Sequence, residues 1–249
     1  MLTIEGSTIP GGHVSIWYIE AYCRPGSTDR DWNETVIPHK SELLESAPDA
    51  TRLALRHTLA DGVIVDHEIR ASADSVTFRV TAKNPTDRPS AVHWAQPCIR
   101  VDRFVGVKAE HNGEAYLPRC FIFLEPTKPA RFPTQPWATK ARYTPGQVYR
   151  PAHVPADDVN PRPVSTLRPA NGLIGGYSHD ESMILATAWE PYQELFQGVI
   201  TCLHSDFRIG GLAPGETKHA RGVLYILPAK DNALLERYRR DFPEQIVKP

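Results

Sequence analysis

The chain lacks the segments that would send it to a membrane or a nucleic acid. No apolar stretch approaches the roughly 18 residues that a membrane span needs. No block of Lys or Arg occurs, and 28 basic against 29 acidic residues leave a formal net charge of −1. That balance argues against a nucleic-acid surface and against docking on an anionic membrane. C-x-x-C is absent too. Cys23, Cys98, Cys120 and Cys202 lie far apart in the sequence, which predicts buried free thiols rather than a zinc cluster or a disulfide framework. The ten histidines contain no H-x-H and no H-E-x-x-H. There is no Gly-x-Ser-x-Gly elbow, and "GLIGG" lacks the strand–helix unit of a nucleotide-binding loop. The opening residues, "MLTIEGSTIPGG", have neither the basic start nor the apolar run of a signal peptide, so a cytoplasmic location is the expectation.

What is present reads as β-structure. Hydrophobic residues make up 41% of the 249, enough for a sizeable core, and 23 prolines outnumber 16 glycines. Proline in that excess disfavours long helices and favours strands joined by stiff loops. "TRLALRHTL" sets Leu53, Leu55, His57 and Leu59 on one face, and "DGVIVDHEIRAS" sets Val63, Val65, His67 and Ile69 on one face. "DSVTFRVTA" alternates through Val76, Phe78 and Val80. Such period-2 patterns, bounded by turn residues, predict half-buried antiparallel strands. Further strands follow in "AVHWAQPCIRV", "GLIGGYS", "SMILATAW", "GVITCLHSDF" and "HARGVLYIL". The one credible helix is "DNALLERYRRDF", with Asp231 as N-cap and Leu234, Leu235, Tyr238 and Phe242 as its apolar stripe. The expected architecture is a single all-β antiparallel sandwich over residues 1–249 with one C-terminal helix. A proline-rich arm at about 125–170, carrying Trp137, Tyr143 and Tyr149, is expected to pack over the sheet or against a second subunit. Its aromatics motivate homodimerisation.

Chemistry concentrates in "EPYQELFQGVITCLHSDFRIGG", residues 190–211. With side chains alternating, Ile200, Cys202, His204 and Asp206 share one face of a strand. If the other face is core, His204 points into a cleft with Asp206 beside it. Such a pair serves as acid and base or as metal ligands. Glu190, Gln193 and Glu194 lie in the connection leading to this strand. Carboxylates and carboxamides beside aromatic rings suit a polyhydroxylated ligand. In "AVHWAQPCIRV", Trp94, Gln96 and Arg100 share a face, and Pro97 predicts a bulge or an edge. A divalent-metal site built from His204, His93 and Glu194 requires folding to bring them together. Trp94, Trp137 and Trp189 are candidate stacking platforms.

Three segments are similar to galactose mutarotases (aldose 1-epimerases). "FRVTAKNPTDRPSAVHWAQPCIRVDRFVG" resembles the strand and "T-D-K-P" turn that lead into the family's "N-L-T-N-H-x-Y-F-N-L". "MILATAWEPYQELFQG" resembles "L-x-V-x-T-x-E-P-G-x-Q-x-Y". "VITCLHSDFRIGGLAPGETKHARGVLYIL" resembles the closing "G-x-C-L-E-T-Q … L-x-P-G-E-x-Y". The resemblance implies a β-supersandwich with a sugar site in an open cleft. The catalytic residues depart from the family's pattern. His204 stands at the position of its glutamate, Gln96 and Pro97 stand at its Asn-His, and His39 lacks the following glycines. The expectation is therefore a carbohydrate-active protein acting on a sugar ring by proton abstraction, of lyase or epimerase type. His204, Glu194 and His93 would be the catalytic groups, and Arg100, Gln96, Trp94, Glu190, Gln193 and Asp206 would bind substrate. A non-catalytic carbohydrate-binding subunit and a mutarotase with a rearranged acid/base pair are the alternatives.

Overall fold

Strand-forming alternation carries a large part of the chain into two antiparallel sheets. The computed structural model describes residues 1–26, 31–107, 113–134, 148–159, 163–198, 200–230 and 232–245. The first strands are β1 (Leu2–Glu5), β2 (His13–Cys23), β3 (Val36–Ile37), β4 (His39–Ser46), β5 (Arg52–Leu59), β6 (Ile64–Ala71) and β7 (Ser75–Lys83). They are followed by β8 (Trp94–Arg100), β9 (Cys120–Phe123), β10 (Pro129–Arg131), β11 (Ile174–Tyr177), β12 (Met183–Glu190), β13 (Tyr192–Gly198), β14 (Cys202–Arg208) and β15 (Thr217–Pro228). Among the described residues, one sheet has six strands in the order β1-β2-β8-β14-β13, with β3 also on β2. The other has nine, in the order β10-β9-β11-β12-β15-β7-β6-β5-β4. No helix of the described residues is long and apolar enough to cross a membrane.

The core lies between the inner faces of the sheets. Val76, Phe78, Val80 and Ala82 of β7 meet Leu203 and Phe207 of β14, Ala95 and Ile99 of β8, and Leu195 of β13. Trp189 ties the layers together, with its ring 5.4 Å from Phe78 and 4.6 Å from Phe207. It is 1% exposed, so it is core and not a stacking platform. Gly222, its cross-strand partner, makes room for it: a Cβ there would lie 2.5 Å from the indole. Gly222→Ala is expected to cost about 1–3 kcal/mol by overpacking, read from the urea midpoint.

The outer face of the nine-stranded sheet is divided. At one end the helix Ala233–Asp241 lays Leu234, Leu235 and Tyr238 on Ile184, Ala186, Val223 and Tyr225, as its stripe predicts. Asp231 and Val199 lie outside the described residues. At the other end is a groove of about 770 Å³ lined by Arg52, Glu68, Arg79, Glu190, His219 and Arg221 among others.

Between the sheets sits a polar inclusion. Tyr18 Oη lies 2.8 Å from His67 Nδ1, and Tyr22 Oη lies 2.8 Å from both His67 Nε2 and His57 Nδ1. His57 and His67 are buried on the apolar face where the alternation placed them. Tyrosine hydroxyls both donate and accept, so these bonds accommodate a neutral His67 ring, the form that burial favours.

Candidate functional site

The outer face of the six-stranded sheet gathers the polar residues of β8, β13 and β14 into rows. Arg100 of β8 pairs with Cys202 of β14, which pairs with Gly198 of β13. Two residues along, His204 is opposite Phe196 on one side and, by the same register, Cys98 on the other. Two further, Asp206 stands between Glu194 and Gln96. Three strands thus present a carboxyl–carboxyl–carboxamide row beside a thiol–imidazole–phenyl row. Directly opposite side chains on adjacent strands are about 5 Å apart at Cβ, close enough for all of these to interact.

Several expectations need correcting here. His204 is not open to a cleft: it is 2% exposed, with its ring stacked on Phe196 at 4.2 Å. Phe196 in turn is covered by Val148, Val154 and Val159, and Tyr149 exchanges backbone hydrogen bonds of 2.9 and 2.8 Å with Leu195. The described part of the proline-rich arm therefore packs on its own sheet. Trp137 and Tyr143 lie outside the described residues. "EPYQELFQG" is not a connection: Glu190 ends β12, and β13 begins at Tyr192. The strand bearing His204 starts at Cys202, which leaves Ile200 in the turn before it. Pro97 is not on an edge, because β8 lies between β2 and β14. The expected bulge does occur, on the partner strand: the β2 register shifts between Trp17 and Ala21, opposite Cys98 and Gln96. A proline cannot donate to the ladder, so the neighbouring strand is free to depart from it there.

The divalent-metal set of His204, His93 and Glu194 does not assemble. Among the described residues, the group whose ligand atoms all lie within 4.8 Å is Cys98, Cys202 and His204. His93 instead points its Nδ1 at Asp158 Oδ2, 3.5 Å away. Glu190 is in the other sheet's groove, where Gln245 donates to it. Trp94 is wholly buried against Ala21 and Cys23, and is no platform. Arg100 lies four residues from Gln96, about 13 Å along the strand. It lines a separate cavity of about 210 Å³ with His13, Ser15 and Asp102. Gln96, Glu194, His204 and Asp206 are the sequence-selected residues brought together, with Gln193 at their margin.

Burial shapes the electrostatics. His204 Nδ1 lies 3.3 Å from Asp206 Oδ1. Burial pushes the Asp206 carboxyl up, against the hydrogen bond from His204, and Glu194 faces it directly across the ladder. Burial also disfavours the His204 imidazolium, yet the Cys98 sulfur and the Asp206 carboxyl facing it raise its pKa above the ordinary value. Two buried carboxyls facing each other disfavour double ionisation, which favours a proton donor beside an acceptor in this row. Trp94 Nε1, Gln96 Oε1 and Asp206 Oδ2, all on this face, have no hydrogen-bond partner among the described residues.

Asp158, from the covering arm, closes the end of the face and was not singled out in the sequence. It accepts from Arg208 Nη1 at 2.8 Å and from Gly26 N at 3.1 Å. Gln193 donates to its carbonyl at 3.0 Å and accepts from Arg208. Burial would raise the Asp158 carboxyl, but His93 and Arg208 outweigh it and hold it below the usual carboxylate range. Asp158→Ala leaves the largely buried Arg208 guanidinium without its counter-charge. A loss of about 3 kcal/mol is expected, measured by urea unfolding at pH 7. A loss under about 1 kcal/mol would mean that Arg208 is rehydrated in the variant.

No family model matches the chain, and no curated protein matches it. Among solved structures it is similar to galactose mutarotase-like and aldose 1-epimerase-like proteins. A galactose mutarotase-like protein from Lactobacillus casei ATCC 334 is 11% identical, with 91% of this chain and 99% of that chain covered and a TM-score of 0.46. A proposed aldose 1-epimerase from Escherichia coli K12 is 12% identical over 88% of this chain and 86% of that one, with a TM-score of 0.46. The protein Slr1438 from Synechocystis sp. PCC 6803 is 11% identical over 87% and 78% of the two chains, again with a TM-score of 0.46.

Proposed function

We propose that this protein is a carbohydrate-active enzyme that moves a proton on a sugar ring, of lyase or epimerase type. One observation carries the reading: Glu194 and Asp206, directly opposite each other across the ladder, backed by His204 and flanked by Gln96, on one face of one sheet. Ring-proton abstraction needs a base and an acid within reach of one substrate. Two carboxyls sharing a proton supply both. Their low-dielectric surroundings keep the pair from ionising fully. Asp206 Oδ2, Gln96 Oε1 and Trp94 Nε1, without protein partners, supply two acceptors and a donor, the complement of a polyol. His204 orients Asp206 through Nδ1. A substrate reaches the row when the cover over residues 148–159 lifts.

The test is solvent-isotope exchange. The protein is incubated in D₂O with a panel of aldoses, uronates and oxidised glycosides, and ring C–H signals are followed by NMR. Deuterium entering a ring carbon, or an unsaturated product, supports the proposal. Saturable binding with neither would make the protein a binding subunit. Faster relaxation of optical rotation without carbon-bound deuterium would make it a mutarotase.

A further inference from the structure

We propose that Cys98, Cys202 and His204 form a buried zinc site. It goes beyond the sugar reading and stands without it. The three ligand atoms come from adjacent strands and lie within 4.8 Å of one another. Cys202 Sγ and His204 Nε2 are 3.3 Å apart. Zn–S and Zn–N bonds of ordinary length, at a tetrahedral angle, put such a pair roughly 3.6 Å apart. Only a small contraction or expansion of the cluster then separates it from coordination geometry. Among the described residues there is no other group of this kind.

Three further features fit a metal better than a plain core. His204 turns its other nitrogen, Nδ1, to the Asp206 carboxyl at 3.3 Å. A metal-binding histidine is held in this way by a carboxylate, which fixes the tautomer and raises ligand basicity. Gly198 lies across the ladder from Cys202, and a Cβ there would come 2.3 Å from Sγ and 3.5 Å from His204 Nε2. The absent side chain is what lets the sulfur sit over β13. Tyr116 Oη donates toward the carbonyls of Gly198 and Cys202 at 2.5 and 3.0 Å, pinning both ends of that turn.

Charge selects the metal. Two thiolates and a neutral imidazole around Zn²⁺ sum to zero, which a fully buried site tolerates. The same ligands around Cu⁺ would leave a net negative charge beside Asp206 and Glu194. Hard cations that prefer oxygen are excluded by the sulfurs. Binding is written Zn²⁺ + 2 R–SH + imidazole → Zn(SR)₂(imidazole) + 2 H⁺. Three protein donors leave the fourth position to water or another small ligand.

The test uses the full chain, reduced and stripped with chelator, then titrated with Co²⁺ and back-titrated with Zn²⁺. The expected result is one equivalent bound, near-ultraviolet thiolate-to-cobalt charge transfer for two sulfurs, visible bands of a four-coordinate ion, and displacement by Zn²⁺. Asp206→Asn is expected to weaken affinity about 10–100-fold while the spectrum keeps its shape, which a merely structural carboxyl would not do. Cys98→Ser should lose the charge-transfer band, whereas Cys120→Ser, buried elsewhere in the core, should keep it. If the cysteine variants do not fold, the wild-type titration alone decides. No cobalt band in the reduced wild type, added directly or during refolding, overturns the proposal. So does a Cys98–Cys202 disulfide in the protein as purified.

Discussion

Glu194→Gln is expected to lower ring-proton exchange about 10²–10⁴-fold, the share of rate that a positioned acid or base contributes. The substitution keeps the side chain's length and polarity opposite Asp206, so the fold and substrate affinity should change little. What it removes is a group that can give up or take a proton. The loss should therefore fall on kcat rather than KM. Glutamine at 194 also leaves Cys98, Cys202 and His204 untouched, which separates this result from any effect of the metal. Exchange at the wild-type rate would take Glu194 out of the chemistry. A parallel fall in the urea midpoint would mean that the carboxyl is needed for folding instead.

The second large effect is on stability in acid. Burial, and then the neighbouring His39, lower the pKa of His57 to about 4. His67 is lowered further in the same direction, again chiefly by burial. In the unfolded chain both titrate near the ordinary value of roughly 6.5. Above that pH neither state binds the proton, and the stabilisation is complete. As pH falls below it, the unfolded chain takes up protons that the native core refuses, so stability drops until the native pKa is reached. For His57 alone a shift of this size amounts to about 3 kcal/mol by pH 4. Groups facing the pair are Tyr18, Tyr22 and His39, none of them a carboxylate that would favour imidazolium. Urea unfolding between pH 7 and pH 4 checks this. His57→Gln should flatten the slope through that window. Carboxylates held low by their partners, such as Asp158, lose their contribution only at still lower pH. An unchanged slope in the variant would take His57 out of the acid loss.

The site was only partly legible in the sequence. Asp206, His204 and Cys202 could be put on one face because alternation along a strand is local. That Glu194 and Gln96 flank Asp206 could not be read, since it depends on which strands are neighbours and in what register. For the same reason the wide spacing of Cys98 and Cys202 argued against a metal cluster, yet β8 and β14 pair so as to join them to His204. His93 misled because it lies just before β8 and turns to Asp158, a residue of the covering arm. Trp189 misled because Glu190, Gln193 and Glu194 follow it closely in sequence, while the layer beneath it is apolar.

By itself the sequence determined the elements. Period-2 alternation, turn residues and one apolar stripe specify strands and a C-terminal helix through interactions within a few residues of each other. The packing of the sheets decided everything that needs two distant segments. It buried His204 under Val148, Val154 and Val159, closed the end of the face with Asp158, and enclosed two histidines with two tyrosines in the core. Those arrangements rest on desolvation and cross-strand register, quantities that exist only once the chain has folded.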